Sequence, residues 1–170
     1  MAKGPAYKLP HRRRREKKTD YKKRLELIKS GKPRAVVRIS NQHARVQIVG
    51  YSREGDQVIS SAFSGQLEDF GWKHHTGNMP AAYLTGFLAG TRGVNEGIEE
   101  AVVDIGLQNN QYGTTIYAAV KGVQDAGIEA DVDEKAFPEE GRLKGEHIDE
   151  YKDKGVVSNV EEVKEEIESM

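Results

Sequence analysis

Apolar and polar residues alternate along three consecutive stretches of the chain, and this pattern predicts strands. Between residues 34 and 40 the apolar side chains of one face are Ala35, Val37 and Ile39. Residues 44–50 repeat the pattern, and residues 57–63 oppose two sets of side chains, Ile59, Ser61 and Phe63 against Val58, Ser60 and Ala62. A side-chain period of two is the period of a β-strand. Because the connections are short, the three strands are expected to form an antiparallel meander.

A helix is predicted over residues 79–92, after a linking segment. Asn78 is a suitable N-cap, and Pro80 lies in the first turn, where its missing N–H costs nothing. Gly86 and Gly90 lie one helical turn apart, so this helix is expected to approach the sheet closely.

A second strand and helix follow, and they define the fold class. Residues 101–105 form a short apolar run within a strand over 100–107, and a helix begins at Thr114 or Thr115 and ends at Gly127. A helix between strands requires a crossover, so the last strand should lie parallel to a neighbour. The sequence therefore predicts an α/β fold with a single mixed sheet, an antiparallel three-strand meander plus one parallel strand, packed with helices.

The two ends of the chain differ in charge from each other. Residues 1–45 hold 16 basic and 3 acidic side chains, whereas the remainder holds 10 basic and 24 acidic ones. Residues 1–18 contain few apolar side chains and are expected to fold only on a partner. A short helix from Thr19 or Asp20 to Ser30 then joins this basic arm to the domain.

The C-terminal extension, residues 129–170, is acidic, with 15 acidic and 6 basic side chains. Residues 147–154 and 159–168 have helical spacing, the second with a thin apolar stripe. The extension could dock on the domain or remain mobile, and the spacing does not decide between them. The predicted organisation is an arm over 1–18, an α/β domain over 19–128 and the acidic extension over 129–170.

The clustered positive charge indicates a polyanionic partner. Nine of the fourteen residues from His11 to Arg24 are basic, and a block of like charges most often serves nucleic-acid binding. A solvated tail and a nuclear-localisation patch are the alternatives. The polar face of the first two strands carries no acidic residue, so it is predicted to be a binding face with five polar side chains, Arg34, Arg38, Ser40, Arg45 and Gln47.

Other chemistry is weakly supported. The chain has no cysteine, no glycine-rich phosphate loop, no apolar run long enough for a membrane span and no apolar stretch of a signal peptide near Met1. His74 and His75 stand without a wider ligand set. Asp104 resembles the carboxylate of metal-dependent nucleases, but its spacing to Glu99, Glu100 and Asp125 does not bring these groups together. We expect no enzyme activity, metal, cofactor, small-molecule substrate or membrane, and a cytoplasmic location.

Several longer strings are similar to those of one protein family. They are residues 4–8, 12–16, 19–21, 24–25, 30–34, 40–41, 77–86 and 103–107, and the likeness resumes at 145–148. These strings resemble the archaeal type of the universal large-subunit ribosomal protein that binds 5S ribosomal RNA, bacterial number eighteen of that subunit. The resemblance covers about residues 2–127 and is weak beyond Lys154.

The resemblance implies a structural constituent of the large ribosomal subunit. Its partners would be 5S rRNA, the large-subunit rRNA to which it attaches 5S rRNA in the central protuberance, and neighbouring large-subunit proteins. Charge, the polar sheet face and the resemblance together give the expected RNA contacts: Arg12, Arg13, Arg14, Arg15, Lys17, Lys18, Tyr21, Lys22, Arg24, Lys32, Arg34, Arg38, Ser40, Asn41, His43, Arg45 and Gln47. Gly77 and Asn78 are further candidates, for RNA contact or for capping a helix. A metal-dependent nuclease and a regulatory nucleic-acid binder outside the ribosome remain the competing function classes.

Overall fold

The protein is described by a computed structural model over residues 4–152 and 155–170. Residues 1–3 of the predicted arm and residues 153–154 of a predicted helix lie outside this range. The strands are β1 (Arg34–Ile39), β2 (Ala44–Gly50), β3 (Gln57–Phe63), β4 (Glu100–Asp104) and β5 (Glu129–Ala130). They form one sheet in the order β3-β2-β1-β4-β5.

The pairing confirms the predicted mixed sheet and adds a strand to it. β1, β2 and β3 are antiparallel neighbours, and β4 lies parallel to β1, with Val36 opposite Asp104. The two-residue β5, which was not predicted, lies parallel to β4. Its brevity explains the omission, because two residues do not establish a period.

The predicted inner face of the meander is buried. Ala35, Val37, Val46 and Ile48 are each fully excluded from solvent. The expected alternation fails in β3, where the register shifts between Ile48 and Val49. A bulge places one extra residue in a strand and so changes which face the following residues occupy. Val58 pairs with Val49 and is exposed, whereas Ser60 pairs with Ile48 and is buried on the inner face.

The helices are α1 (Arg12–Arg15), α2 (Tyr21–Lys29), α3 (Met79–Asn95), α4 (Thr115–Asp125), α5 (Glu140–Lys144), α6 (Glu146–Lys152) and α7 (Val156–Glu168), with 3-10 turns at Ser64–Phe70 and Glu134–Ala136. α3 and α4 pack on the inner face of the sheet and against each other. In the described residues no helix is long and apolar enough to cross a membrane.

The small residues of α3 have a different role from the one predicted. A Cβ at Gly86 would lie 1.9 Å from the Ala119 carbonyl oxygen, and one at Gly90 would lie 2.6 Å from the Ala126 Cβ. Both glycines therefore permit close packing of α3 on α4, and the prediction that they serve contact with the sheet is wrong.

The acidic extension is docked rather than free. Val156, Val160, Val163 and Ile167 of α7 are buried and belong to the same hydrophobic core as the sheet. Buried Asn159 strengthens the contact, since its amide donates to the Gly71 carbonyl and accepts from the Lys73 N–H. The apolar stripe of the last helix thus has a specific surface to cover.

The basic arm lies outside this core. All four residues of α1 are exposed, and none of the α2 residues is buried. The Asp20 side chain accepts from the backbone N–H groups of Lys22 and Lys23, which confirms its predicted capping role. α2 and the arm stand over the face of the sheet that α3 and α4 leave uncovered.

Candidate nucleic-acid interface

The uncovered sheet face and the arm enclose one groove of about 270 Å³. Arg13, Lys18 and Lys23 border it from the arm and α2, while Arg38 and Gln47 border it from the sheet. Alternate side chains of β1 and β2 point into the groove, because side chains of a strand alternate between its two faces and the others point into the core. The groove brings two regions of predicted RNA contacts to one surface.

A network of ion pairs lies at the floor of the groove. The Arg34 guanidinium donates to Asp104 Oδ2 at 2.8 Å and to Asp56 Oδ2 at 2.7 Å. Arg24 of α2 donates to both oxygens of Asp56, each at 2.8 Å, and Arg38 contacts Asp104 Oδ1 at 3.2 Å. The network therefore links α2, the β2–β3 turn, β1 and β4.

The two carboxylates of the network are stabilised in their charged form. Burial alone raises the pKa of Asp104, but the Arg38 charge, the Gly106 N–H and the Arg34 charge together lower this pKa below its ordinary value. Burial likewise raises the pKa of Asp56, and hydrogen bonds from Arg24 and Arg34 outweigh it, so that this pKa is also lowered.

This geometry changes the interpretation of four predicted RNA contacts. Arg34 has only 3% of its side chain exposed and is committed to its two carboxylates, so we correct its expected role from surface contact to organiser of the sheet face. Arg24 is held by Asp56, and Lys32 is paired with Glu100 at 2.6 Å. Arg38 is tied to Asp104 yet keeps 44% of its side chain exposed.

The β1–β2 hairpin is fixed by its polar residues. The Ser40 hydroxyl accepts from the His43 N–H and donates to the His43 carbonyl, each at 3.0 Å. The His43 ring lies 4.6 Å from the Phe63 ring, and its Nδ1 is within 3.2 Å of the Ser64 hydroxyl. Asn41 is exposed at the tip, and its side chain has no hydrogen-bond partner among the described residues.

A neighbouring loop supports the hairpin. The Thr76 hydroxyl donates to the Gln42 carbonyl at 2.8 Å, and a Cβ at Gly77 would lie only 2.5 Å from the Asn41 carbonyl oxygen. Asn78 is the cap of α3, because its side chain accepts from the Ala81 N–H at 2.8 Å. The capping role predicted for Asn78 is therefore confirmed, whereas RNA contact by Gly77 and Asn78 stays a prediction.

The remaining predicted contacts lie on the surface. Arg14, Arg15, Lys17 and Lys22 are exposed, as are Arg12 and Lys18, which both pair with Glu16. Arg13 donates to the Thr19 hydroxyl at 2.9 Å. Tyr21 places its ring 5.7 Å from the His11 ring, and the Arg45 guanidinium lies over Phe63. Gln47 is half-buried on the uncovered sheet face.

The chain matches a family model for the "Ribosomal large subunit proteins 60S L5, and 50S L18" over residues 5–99. The chain belongs to this ribosomal protein family. Among the most similar relatives, "Large ribosomal subunit protein uL18" of Halobacterium salinarum is 50% identical over 151 residues, covering 89% of this chain and 82% of the relative. The proteins of the same name from Korarchaeum cryptofilum and Methanothermobacter thermautotrophicus are also 50% identical, covering 91% and 89% of this chain and 79% of each relative.

Membership of the L5/L18 family confirms the resemblance seen in the sequence. It favours a ribosomal structural protein over the metal-dependent nuclease. Its members are structural proteins of the large ribosomal subunit and not enzymes, which places the chain in the ribosome, in the cytoplasm. The nuclease alternative also lacks a site: Asp104 is occupied by arginines, and Asp125 binds Tyr83 and Lys121. No group of three potential metal ligands occurs within the described residues.

Sequence reasoning about this L5/L18 chain missed the acidic partners of the basic face. Neither the pairing of Asp56 with Arg24 and Arg34 nor that of Asp104 with Arg34 and Arg38 is predicted from the sequence. The sequence did contain one signal for these partners. An arginine of β1 that becomes buried needs a counter-charge, because burying an unpaired charge is costly. The pairing of Val36 with Asp104, which decides the matter, comes from the parallel register and is not visible in spacing alone.

Proposed function

We propose that the chain binds 5S rRNA and attaches it to the large-subunit rRNA in the central protuberance, together with neighbouring large-subunit proteins. The observation that carries this proposal is that both the arm and the sheet face border the same groove. A polyanion that enters it meets exposed arginines and lysines on one side and hydrogen-bonding side chains on the other. Membership of a ribosomal protein family supplies the RNA context.

Affinity in this proposal comes mainly from the arm. Arg12, Arg14, Arg15 and Lys17 are exposed, and Arg13 borders the groove, so each can approach a phosphate. Every phosphate neutralised by a cation releases condensed counterions, which makes binding strong at low salt and insensitive to sequence. Lys22 adds to this charge from α2, and Tyr21 offers a ring for stacking.

Selectivity comes from the hairpin and the sheet face. RNA proteins recognise sequence mostly in unpaired loops, through hydrogen bonds to base edges and stacking on side chains. Asn41 offers an amide that has no partner among the described residues, and Gln47 and Arg45 continue the polar surface along β2. Ser40 and His43 contribute indirectly, because their hydrogen bonds within the protein fix the hairpin that presents Asn41.

Four cations of the predicted interface already pair with carboxylates, so the proposal treats them separately from the arm. They are Arg24, Arg34, Arg38 and Lys32. The first two hold α2 and the sheet together through the carboxylates. Arg38 can serve both purposes, since nearly half of its side chain stays exposed while Asp104 orients its guanidinium. Lys32 would have to exchange Glu100 for a phosphate.

The test is binding of the purified protein to 5S rRNA and to transfer RNA across a salt series. The proposal predicts a preference for 5S rRNA that persists at near-physiological salt. Asn41→Ala is expected to weaken 5S binding by about 5- to 30-fold and transfer-RNA binding much less, because one base contact is worth about 1–2 kcal/mol. Asn95→Ala, at an exposed asparagine in the last turn of α3, is the matched control. Equal, salt-labile binding to both RNAs would contradict the proposal.

A further inference from the structure

The connection between β4 and α4 contains an unusual run of uncharged polar side chains. Residues 107–113, which we name the amide loop, read Leu-Gln-Asn-Asn-Gln-Tyr-Gly. Four consecutive amide side chains are followed by an aromatic ring. The composition around the loop is also distinctive: the residues after Arg45 hold 24 acidic side chains, yet none lies between residues 105 and 124.

The amide loop is held in place by its backbone and by part of its side chains. Gln108 Nε2 donates to the Ile39 carbonyl at 2.9 Å, and Gln108 Oε1 accepts from the Ile39 N–H at 3.4 Å. The Gly113 N–H donates to the Ala136 carbonyl at 2.9 Å. The Tyr117 hydroxyl bonds to the Asn110 side chain. These anchors reduce the conformational entropy that the loop would lose on binding.

Other side chains of the loop face solvent. Tyr112 is 58% exposed and Leu107 51%, while Asn109 and Gln111 are also exposed. Neither the Asn109 nor the Gln111 side chain has a hydrogen-bond partner in the part of the chain that the structure describes. The Tyr112 ring stands perpendicular to the Tyr117 ring, with centroids 5.8 Å apart, so this contact helps to hold it in place. The loop thus displays amides and a ring beside an open groove of about 470 Å³.

The position of the loop connects it to the proposed RNA surface. Ile39, which the Gln108 amide grips through both backbone groups, immediately precedes the Ser40–His43 hairpin. The loop and the hairpin therefore leave the sheet at the same end, where the parallel strands β1 and β4 finish. The amide loop and the hairpin that carries Asn41 thus belong to the same end of the sheet.

We propose that the amide loop is a second RNA-contact surface, which takes unpaired nucleotides of ribosomal RNA. This inference rests on the proposed function and extends its surface beyond the arm, the hairpin and the sheet face. Amide side chains match the donors and acceptors of base edges, and tyrosine offers a stacking face for a base. The loop itself carries no carboxylate, so a phosphate that contacts it meets less repulsion than on the acidic segments of the second half of the chain.

The chain offers a direct test because it contains no cysteine. Asn109→Cys creates a unique attachment point for an iron–EDTA group, whose hydroxyl radicals cut nearby RNA in assembled large subunits. Glu96→Cys is the matched control: this exposed residue precedes β4, whereas the loop follows it, so the two probes lie at opposite ends of that strand. Primer extension on 5S rRNA and on the large-subunit rRNA identifies which RNA is cut.

The inference predicts cuts at unpaired nucleotides from position 109 that position 96 does not produce. Tyr112→Ala should weaken binding to the RNA so identified on the order of tenfold, the usual effect of losing one stacked base. Tyr151→Ala, at an exposed tyrosine of α6, should leave it unchanged. Absence of cuts from position 109, or cuts from it only at base-paired nucleotides, would overturn the inference.

The two proposals can fail separately. A wild-type protein that prefers 5S rRNA in solution, combined with no cuts from position 109, overturns the second surface and leaves the proposed function intact. Cuts in the large-subunit rRNA from position 109, combined with no 5S preference, uphold the second surface and contradict 5S recognition.

Discussion

Arg34 shows how a single residue can reverse its predicted role once its neighbours are known. The alternation of β1 places it correctly on the face away from α3 and α4. Its burial comes from residues far along the chain, since Asp56 and Asp104 reach it from a turn and from a parallel strand. The face was predictable from the sequence, whereas the long-range pairing was not.

Replacing Arg34 tests this structural role. Arg34→Ala leaves Asp104 without its buried partner, and removing one member of a buried pair costs about 3–5 kcal/mol. We expect a loss near the lower end, about 3 kcal/mol, because Asp56 remains partly exposed and keeps Arg24. Urea unfolding followed by circular dichroism measures it. Arg45→Ala is the control, with an expected change below about 1 kcal/mol; equal stability of the two variants would refute the assignment.

The same carboxylates predict how stability depends on pH. Because the pKa values of Asp56 and Asp104 are lower in the folded than in the unfolded state, their stabilisation is present above about pH 4 and is lost as the pH falls below that value. The free energy of unfolding, measured between pH 6 and pH 3, should therefore decrease towards acid. Asp104→Asn should flatten that decrease. An unchanged pH profile in this variant would show that Asp104 is not titrating in the network.

At the scale of elements, a helix or strand could be predicted from the sequence only if it was long enough to show its side-chain period. α3 and α4 are long enough to show helical periodicity, so their approximate bounds were predictable. β5 has two residues and α1 has four, which is too short for a period. The stripe on α7 was visible, but its docking surface is assembled from α3 and the 3-10 turn at Ser64–Phe70, and spacing within one helix does not specify its partner.

The docking of α7 gives an element-scale prediction. Ile167 is fully buried in the common core, so Ile167→Ala should destabilise the whole domain by about 3 kcal/mol. Glu166→Ala on the exposed side of the same helix should change stability by less than about 0.5 kcal/mol. Urea unfolding of both variants decides the matter. If Ile167→Ala unfolds at the wild-type midpoint, α7 does not contribute to the cooperative core.

At the scale of the whole molecule, charge is divided along the chain. The first 45 residues carry a large positive excess, and the later residues carry a matching negative one. The fold keeps this division, because the arm lies over one sheet face while the acidic α7 packs against the helical layer. A polyanion would therefore approach from the side of the arm, a direction that composition indicated and the sheet topology specifies.

The salt dependence of RNA binding tests that orientation. About ten phosphate contacts would give a slope of log affinity against log salt of about −7 to −9, and removing two cations should reduce its magnitude by about 1 to 2. Arg13→Ala with Arg14→Ala should produce this reduction. The exposed pair Lys135→Ala with Arg142→Ala, from the acidic half, should not. Identical slopes for both double variants would exclude the arm as the main phosphate-binding element.

The attachment of 5S rRNA is the central claim, and subunit assembly tests it most directly. Large subunits would be reconstituted from their purified components with and without this chain, and the 5S rRNA retained per large-subunit rRNA would be measured after sedimentation. The proposed function predicts that omission of the chain removes most of the 5S rRNA and that adding the wild-type chain restores it. Full retention of 5S rRNA in subunits that lack the chain would contradict the account.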